Sequence, residues 1–134
     1  MESLEDSPPF TYEKRVTQDI YLTPTGKHTY TLIWLHGLGD SSEGFLDFFH
    51  CKAPRLPNHE TKVILLQAPT QPVSSMGGAS MPSWYDMVPS GKGEETTDDE
   101  VQIAKSTKLV MQVINQEAKA LGGDYKKVFL VGFS

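Results

Sequence analysis

Two stretches of this sequence carry residue types at spacings that could perform acyl transfer. The first is Val128-Phe-Leu-Val-Gly132-Phe133-Ser134, an apolar run that ends in the first three letters of a G-x-S-x-G turn. In such a turn a sharp bend from strand to helix lifts a serine hydroxyl clear of the sheet, where it can attack a carbonyl carbon. Three letters of five also fit any strand that ends in Gly-Phe-Ser. The second stretch is Leu32-Ile-Trp-Leu-His36-Gly37-Leu38-Gly39-Asp40, an apolar strand pattern that ends in a histidine and a glycine-rich turn. A turn of this kind can present a backbone N–H to the oxyanion of a tetrahedral intermediate. A plain β-turn after a strand has the same composition. Between the two stretches, Met81-Pro-Ser-Trp84-Tyr85-Asp86 lies in a loop long enough to shape a pocket.

Other chemistries fail on the letters. Gly37-x-Gly39 is followed by Ser42 where a dinucleotide fingerprint needs glycine, and Gly39-x-x-x-x-Gly44 by Phe45-Leu46 where a phosphate loop needs Lys-Ser/Thr. No His/Cys grouping has zinc spacing, so no metal is expected. His28, His50 and His59 stand in polar contexts and are expected to be exposed, while His36 is expected to brace the turn that it opens. In a strand-turn-helix triad the chain order is Ser, acid, His, which places the base after Ser134. The order His36, Asp86, Ser134 matches that of chymotrypsin-like proteases, but those are double β-barrels, and the helical pattern from Asp98 to Leu121 contradicts that fold.

The elements that would position these residues follow an α/β pattern. Residues 1–9 read as a disordered lead-in, and 10–134 as part of one domain. Tyr12 to Leu22 is rich in β-branched and aromatic residues, Thr23-Pro-Thr-Gly26-Lys is turn chemistry, and a second strand is expected over 29–35. These predict an antiparallel start to the sheet. Asp40-Ser-Ser-Glu43 has capping-box spacing, with Phe45, Leu46, Phe48 and Phe49 as the apolar side of a short helix. Val63-Ile-Leu-Leu66 reads as a strand covered on both faces, as in a parallel sheet. Residues 67–97 show no period and are expected to form a loop, ordered around Trp84 and Tyr85. Thr97-Asp-Asp-Glu100 then opens a helix whose stripe is Ile103, Thr107, Val110, Met111, Ile114, Ala118 and Leu121, stopped by Gly122-Gly123. The last strand is expected over 128–133. Right-handed crossovers would make the later strands parallel.

Composition narrows the setting. At 134 residues the chain holds one domain at most. A net charge of −5 without a basic stripe argues against nucleic acid or an anionic membrane surface as main partner. The lone Cys51 excludes an internal disulfide and favours a reducing compartment. The opening Met1-Glu-Ser-Leu-Glu-Asp-Ser-Pro-Pro lacks the features of a leader, Glu2 excludes N-myristoylation, and no run is long enough to span a bilayer. The expectation is a soluble, cytoplasmic protein without stable membrane insertion.

Taken in this order, LHGLGD, MPSWYD and the terminal GFS resemble the phospholipase/carboxylesterase family of α/β hydrolases that contains the acyl-protein thioesterases. The resemblance runs from the strand before His36 to Ser134. It implies an α/β-hydrolase fold, a mostly parallel sheet with flanking helices, truncated after the nucleophile strand. It further implies Ser134 as nucleophile, Gly132 as the residue that lets the elbow bend closely, and the Leu38 N–H as an oxyanion donor aimed by Gly37 and Gly39. Met81 and Trp84 would lie beside the cleft, and Val73 in Gln71-Pro-Val-Ser-Ser-Met-Gly-Gly78 in a lid over the acyl channel. Gln71 stands where many relatives carry arginine, and Ser75 where several carry an apolar residue. The implied activity is cofactor-free hydrolysis of an acylated protein, a lysophospholipid or a small ester. The family's downstream acid, histidine and second oxyanion N–H lie beyond Ser134, so these 134 residues by themselves are expected to be inactive. The alternative is a non-catalytic fragment that binds an acyl chain or a partner.

Overall fold

Alternation along the strands divides the core into two halves, one on each face of a single sheet. The computed structural model describes residues 10–49, 59–93 and 95–134. The expected lead-in at 1–9, His50 and Cys51 lie outside the described residues. Five strands, β1 (Phe10–Lys14), β2 (Ile20–Pro24), β3 (Tyr30–Leu35), β4 (Thr61–Leu66) and β9 (Val128–Gly132), pair in the order β1-β2-β4-β3-β9. On one face Ile20, Leu22, Val63 and Leu65 meet Phe10 and Phe49, with Leu32, Trp34, Phe45 and Leu46 packed around them. On the other, Tyr21, Ile33, Ile64 and Leu66 meet Val110 and Val113. Side chains one residue apart point to opposite faces, so a run such as Val63-Ile-Leu-Leu66 must be apolar throughout.

The start of the sheet differs from the single strand expected over 12–22. Arg15 to Asp19 forms a turn, in which Gln18 N–H donates to Arg15 O and Arg15 N–H to Asp19 O, both at 2.8 Å. Thr17 Oγ1 donates to Asp19 Oδ2 at 2.8 Å, and this local side-chain bond favours a turn over extended chain. β1 and β2 are therefore an antiparallel hairpin, and β2 pairs with β4, antiparallel, rather than with β3. β3 pairs parallel with both β4 and β9.

The helices flank the sheet. Ser42–Phe45 is a 3-10 turn that runs into α1 (Leu46–Phe49), and the expected capping box does not form. Asp40 Oδ1 instead accepts from Ser41 N–H at 2.8 Å, and Glu43 pairs with Lys14 on β1. The aromatic rings of α1 and of the turn before it surround Trp34, with Phe45 4.8 Å and Phe49 5.3 Å from it, centroid to centroid. α2 (Glu100–Ala120) has Asp99 as N-cap, its side chain accepting from the Val101 and Gln102 N–H groups. Gly123, at φ +83°, donates to Ala118 O at 2.7 Å and closes the helix. α2 buries Val110, Val113, Glu117 and Ala118, while Met111 is exposed. The buried stripe is thus turned from the expected one. Ile103, Thr107, Met111 and Ile114 border a groove of about 300 Å³ between α2 and β9, with Leu35 and Leu130 opposite.

Glu117 is buried because its charge is met. It accepts from Lys62 Nζ at 2.9 Å and from Thr31 Oγ1 at 3.0 Å. His28, expected in solvent, is half-buried beside it, with Nε2 2.8 Å from Thr31 Oγ1. The Thr31 proton is committed to Glu117, so His28 Nε2–H is the donor. His59 is exposed as expected.

The stretch over 67–97 is more regular than its letters suggest. It holds two hairpins, β5 (Thr70–Val73) with β6 (Ala79–Pro82), and β7 (Met87–Pro89) with β8 (Thr96–Asp98). Pro72, Pro82 and Pro89 within these strands break hydropathy alternation and leave only short two-stranded pieces.

Candidate active site

Parallel register brings the two chemistry-bearing stretches together. Leu35 of β3 lies opposite Gly132 of β9, so His36-Gly37 and Phe133-Ser134 leave the sheet side by side at the carboxyl ends of adjacent strands. Phe133 N–H donates to Leu35 O at 3.0 Å, extending the ladder one residue past β9. The approach is close enough to require glycine at position 37, where a Cβ would stand 2.9 Å from Phe133 O and 3.2 Å from Ser134 Cβ. Ser134 follows with φ +62°, a left-handed backbone that non-glycine residues rarely adopt. At Gly132, by contrast, φ is not positive and a Cβ would meet nothing within 4 Å among the described residues.

The turn after β3 is held from three sides. Asp40 N–H donates to Gly37 O at 3.1 Å, and Gly39 sits at φ +76° in the third place of that turn, as a type II turn demands. Gly39 N–H is used by Pro82 O at 2.9 Å. Leu38 N–H has no acceptor among the described residues. His36 is 3% exposed, and both ring nitrogens are engaged. Its Nε2 accepts from Ala68 N–H at 3.0 Å, which assigns the proton to Nδ1, and Nδ1 donates to Gly37 O at 2.8 Å. The ring has no nitrogen left for a substrate or for Ser134; it braces the turn. Trp84 Nε1 donates to His36 O at 2.8 Å, its ring lies 5.3 Å from the imidazole, and its own carbonyl accepts from Ser106 Oγ of α2 at 2.5 Å.

A cavity of about 220 Å³ opens between these parts. Ser134, Leu38, Val73 and Trp84 line it, together with Ser75 and Asp86. Gly37, Gly39 and Met81 stand outside the lining. The two glycines shape the turn, and Met81 lies behind it, its Sδ 3.4 Å from where a Gly39 Cβ would be. Gln71 Nε2 donates to Ser83 O at 2.8 Å, so this side chain fastens the base of the β5–β6 hairpin. In the sequence Asp86 stands only as the acid of a His36, Asp86, Ser134 order, which the helical pattern sets aside, and not as a residue of the cavity wall. It is 8% exposed, and its partner Ser74 lies twelve residues away across a hairpin that has no local period. Hydrogen bonds from Ser74, first its hydroxyl and then its N–H, hold the Asp86 carboxyl below its ordinary range.

Chemically, the arrangement offers a serine hydroxyl on a strained bend and a free backbone donor on one cavity. No histidine lines that cavity among the described residues, and no grouping of His, Cys, Asp and Glu that could hold a metal occurs among them.

Comparison with known proteins agrees in extent and kind. The sequence model of the phospholipase/carboxylesterase family matches residues 19–134. Acyl-protein thioesterase 1 of Cryptococcus neoformans is 39% identical over 114 residues, covering 84% of this chain and 47% of the relative. Acyl-protein thioesterase 1 of Yarrowia lipolytica is 42% identical over 109 residues, covering 80% and 46%. Among solved structures, Zea mays acyl-protein thioesterase 2 matches with a TM-score of 0.59 at 28% identity, covering 87% of this chain and 46% of that one. Arabidopsis thaliana SOBER1 matches with a TM-score of 0.60 at 29% identity, covering 78% and 49%. The chain spans about half the length of the curated relatives it matches.

Proposed function

This chain belongs to the phospholipase/carboxylesterase family, and on that premise we propose that it forms the nucleophile-bearing part of a serine hydrolase cleaving carboxylic esters or thioesters. Its fold is the sheet-rich part of an α/β hydrolase, about half of that fold. The observation that carries the reading is the meeting of Ser134 and Leu38 on one cavity, with Gly37 packed against the backbone of the bend. Ser134 Oγ attacks the carbonyl carbon, and the Leu38 N–H takes the developing oxyanion, a role suited to a donor that no carbonyl among the described residues occupies. Attack needs a base to remove the serine proton, and the described cavity holds no histidine. Residues 1–134 alone are therefore inactive in this reading.

The substrate side of the cavity is mixed. Leu38, Val73, Trp84 and Met87 suit an acyl chain, while Ser75 and Asp86 make the wall less apolar than a pure lipid channel. An acylated protein fits the relatives named acyl-protein thioesterase; a lysophospholipid or small ester uses the same chemistry. No helix among the described residues is long and apolar enough to cross a membrane.

The test is a chimera that joins residues 1–134 to the remaining half of the Yarrowia lipolytica relative. Fluorophosphonate labelling mapped to Ser134, lost in Ser134→Ala, is expected. A folded chimera that takes no label at Ser134 removes the nucleophile assignment. A second reading, an acyl- or partner-binding fragment, is favoured by the missing cavity base. It requires residues 1–134 alone to bind ester analogues saturably without turnover.

A further inference from the structure

One aspartate ties the hairpin side of the cavity to the start of α2. The Asp86 carboxylate accepts from Ser74 Oγ at 2.6 Å, Ser74 N–H at 3.1 Å and Met87 N–H at 2.9 Å. Its backbone N–H donates to Gln102 Oε1 at 2.7 Å, and its carbonyl accepts from Asp99 N–H at 2.8 Å. Asp99 is the N-cap of α2, and Gln102 lies in its first turn. Ser74 opens the 3-10 turn Ser74–Met76 at the tip of the β5–β6 hairpin. The base of that hairpin has separate ties, Gln71 Nε2 to Ser83 O and Ser83 N–H to Pro69 O. Among the described residues, its tip has only internal turn bonds, Gly77 N–H to Ser74 O and Gly78 N–H to Val73 O, besides those to Asp86. Residues 74–80 are all exposed, so apolar burial does not hold the tip down.

The geometry points to Asp86 as a positioning residue that clamps the hairpin tip, through Ser74, as the movable wall of the Ser134 cavity. The inference rests on the acyl-ester reading for what the wall encloses, but the clamp is a property of the chain itself. A charged, nearly buried acceptor with three donors is the strong kind of hydrogen-bonding group, and Val73 and Ser75 on either side of Ser74 both line the cavity. Releasing Ser74 therefore loosens two lining residues at once. The depressed carboxyl of Asp86, with the Ser74 hydroxyl as first cause, agrees with a carboxylate that stays charged in its clamp.

Hydrogen exchange of the amides of residues 74–79 in the 134-residue chain tests this without turnover. Ser74→Ala removes one charge-assisted bond, and exchange at the tip is expected to accelerate about tenfold to a hundredfold, with that of β3 and β4 unchanged. Ser74→Thr retains the hydroxyl and is expected to restore protection. Asp86→Asn is expected to loosen the same amides, with Ser74→Ala adding little in that background; if Asp86→Asn fails to fold, the two Ser74 variants carry the test. Unchanged tip exchange in Ser74→Ala, or equal exchange in Ser74→Ala and Ser74→Thr, overturns the clamp. Trp84 fluorescence in a Trp34→Phe background, titrated with the thioether S-dodecyl-N-acetylcysteine amide, reads the wall. Weaker binding in Ser74→Ala, restored in Ser74→Thr, supports the clamp as a cavity wall; equal affinity despite loosened exchange overturns that part. No binding by the unsubstituted chain, with exchange responding as expected, upholds the clamp and sinks the reading of residues 1–134 as an acyl-binding fragment, while the chimera's labelling at Ser134 tests the hydrolase reading separately.

Discussion

Substituting Gly37→Ala tests the contact on which the site is built. Gly37 does not have a positive φ, so alanine meets no conformational penalty there and the cost is steric. The new Cβ would stand 2.9 Å from Phe133 O, 3.2 Å from Ser134 Cβ and 3.4 Å from Ser134 O. A carbon and a carbonyl oxygen need a few tenths of an ångström more than the first of these. Neither partner yields easily, because Phe133 N–H is tied to Leu35 O at 3.0 Å, and β3 and β9 are in ladder register up to Leu35 and Gly132. Overpacking against fixed backbone costs about 1–3 kcal/mol. At roughly 4 °C per kcal/mol for a chain of this size, the melting midpoint is expected to fall by about 4–12 °C. Two controls separate this from a general intolerance of alanine. Gly132→Ala adds a Cβ that meets nothing within 4 Å and should leave the midpoint unchanged or raise it slightly. Gly39→Ala puts a side chain at φ +76° and should cost about 1 kcal/mol by backbone strain alone. Thermal melts by circular dichroism decide the matter. If Gly37→Ala melts with the unsubstituted chain, the strand ends are not in contact, and the common cavity of Leu38 and Ser134 goes with them.

Four further outcomes are expected. Glu117→Ala strands the Lys62 ammonium against the sheet and should cost about 3 kcal/mol in urea unfolding, whereas Glu117→Leu with Lys62→Met should recover most of the loss; equal costs for the single and double variants would contradict a buried pair. Burial pushes the His28 imidazole below its ordinary value near 6.5, so the unfolded chain binds the extra proton first; its contribution is full above about pH 6.5 and is lost as pH falls through the lower folded value, and melts of His28→Gln from pH 7.5 to 5 should show a flatter profile. In the unlabelled chimera, Leu38→Pro should lower kcat by about 10²- to 10³-fold while Leu38→Ala, which keeps the N–H, loses far less; a folded proline variant with undiminished kcat rules Leu38 out as donor. β9 ends the sheet order with Phe129 and Leu130 each 50% exposed, so residues 1–134 should self-associate with concentration, and Leu130→Lys should suppress it; concentration-independent light scattering by the unsubstituted chain would refute the edge as the cause.

What the sequence determined by itself is local or binary. Val63-Ile-Leu-Leu66 reads as a strand covered on both faces, Val128-Phe-Leu-Val131 as a further strand, Gly122-Gly123 as the stop of the helix before it, and LHGLGD with MPSWYD points to the family. These features are legible because burial on both faces, left-handed glycines and short motifs each act within a few residues. What the tertiary structure decided is relational. Whether Arg15–Asp19 turns or extends was set by Thr17 bonding to Asp19 against the β propensity around it. Which side of α2 is buried depended on where the helix rests over β3 and β4, and that moved Met111 to the surface and Glu117 inside, where Lys62 and Thr31 could meet its charge. His28 left solvent for the same reason. The cavity itself is a product of register: Leu35 opposite Gly132 aligns two turns ninety-odd residues apart, and a Ser74–Asp86 bond across a proline-broken hairpin closes its wall. Neither pairing leaves a period in the letters, because the forces that select it act between segments and not along them.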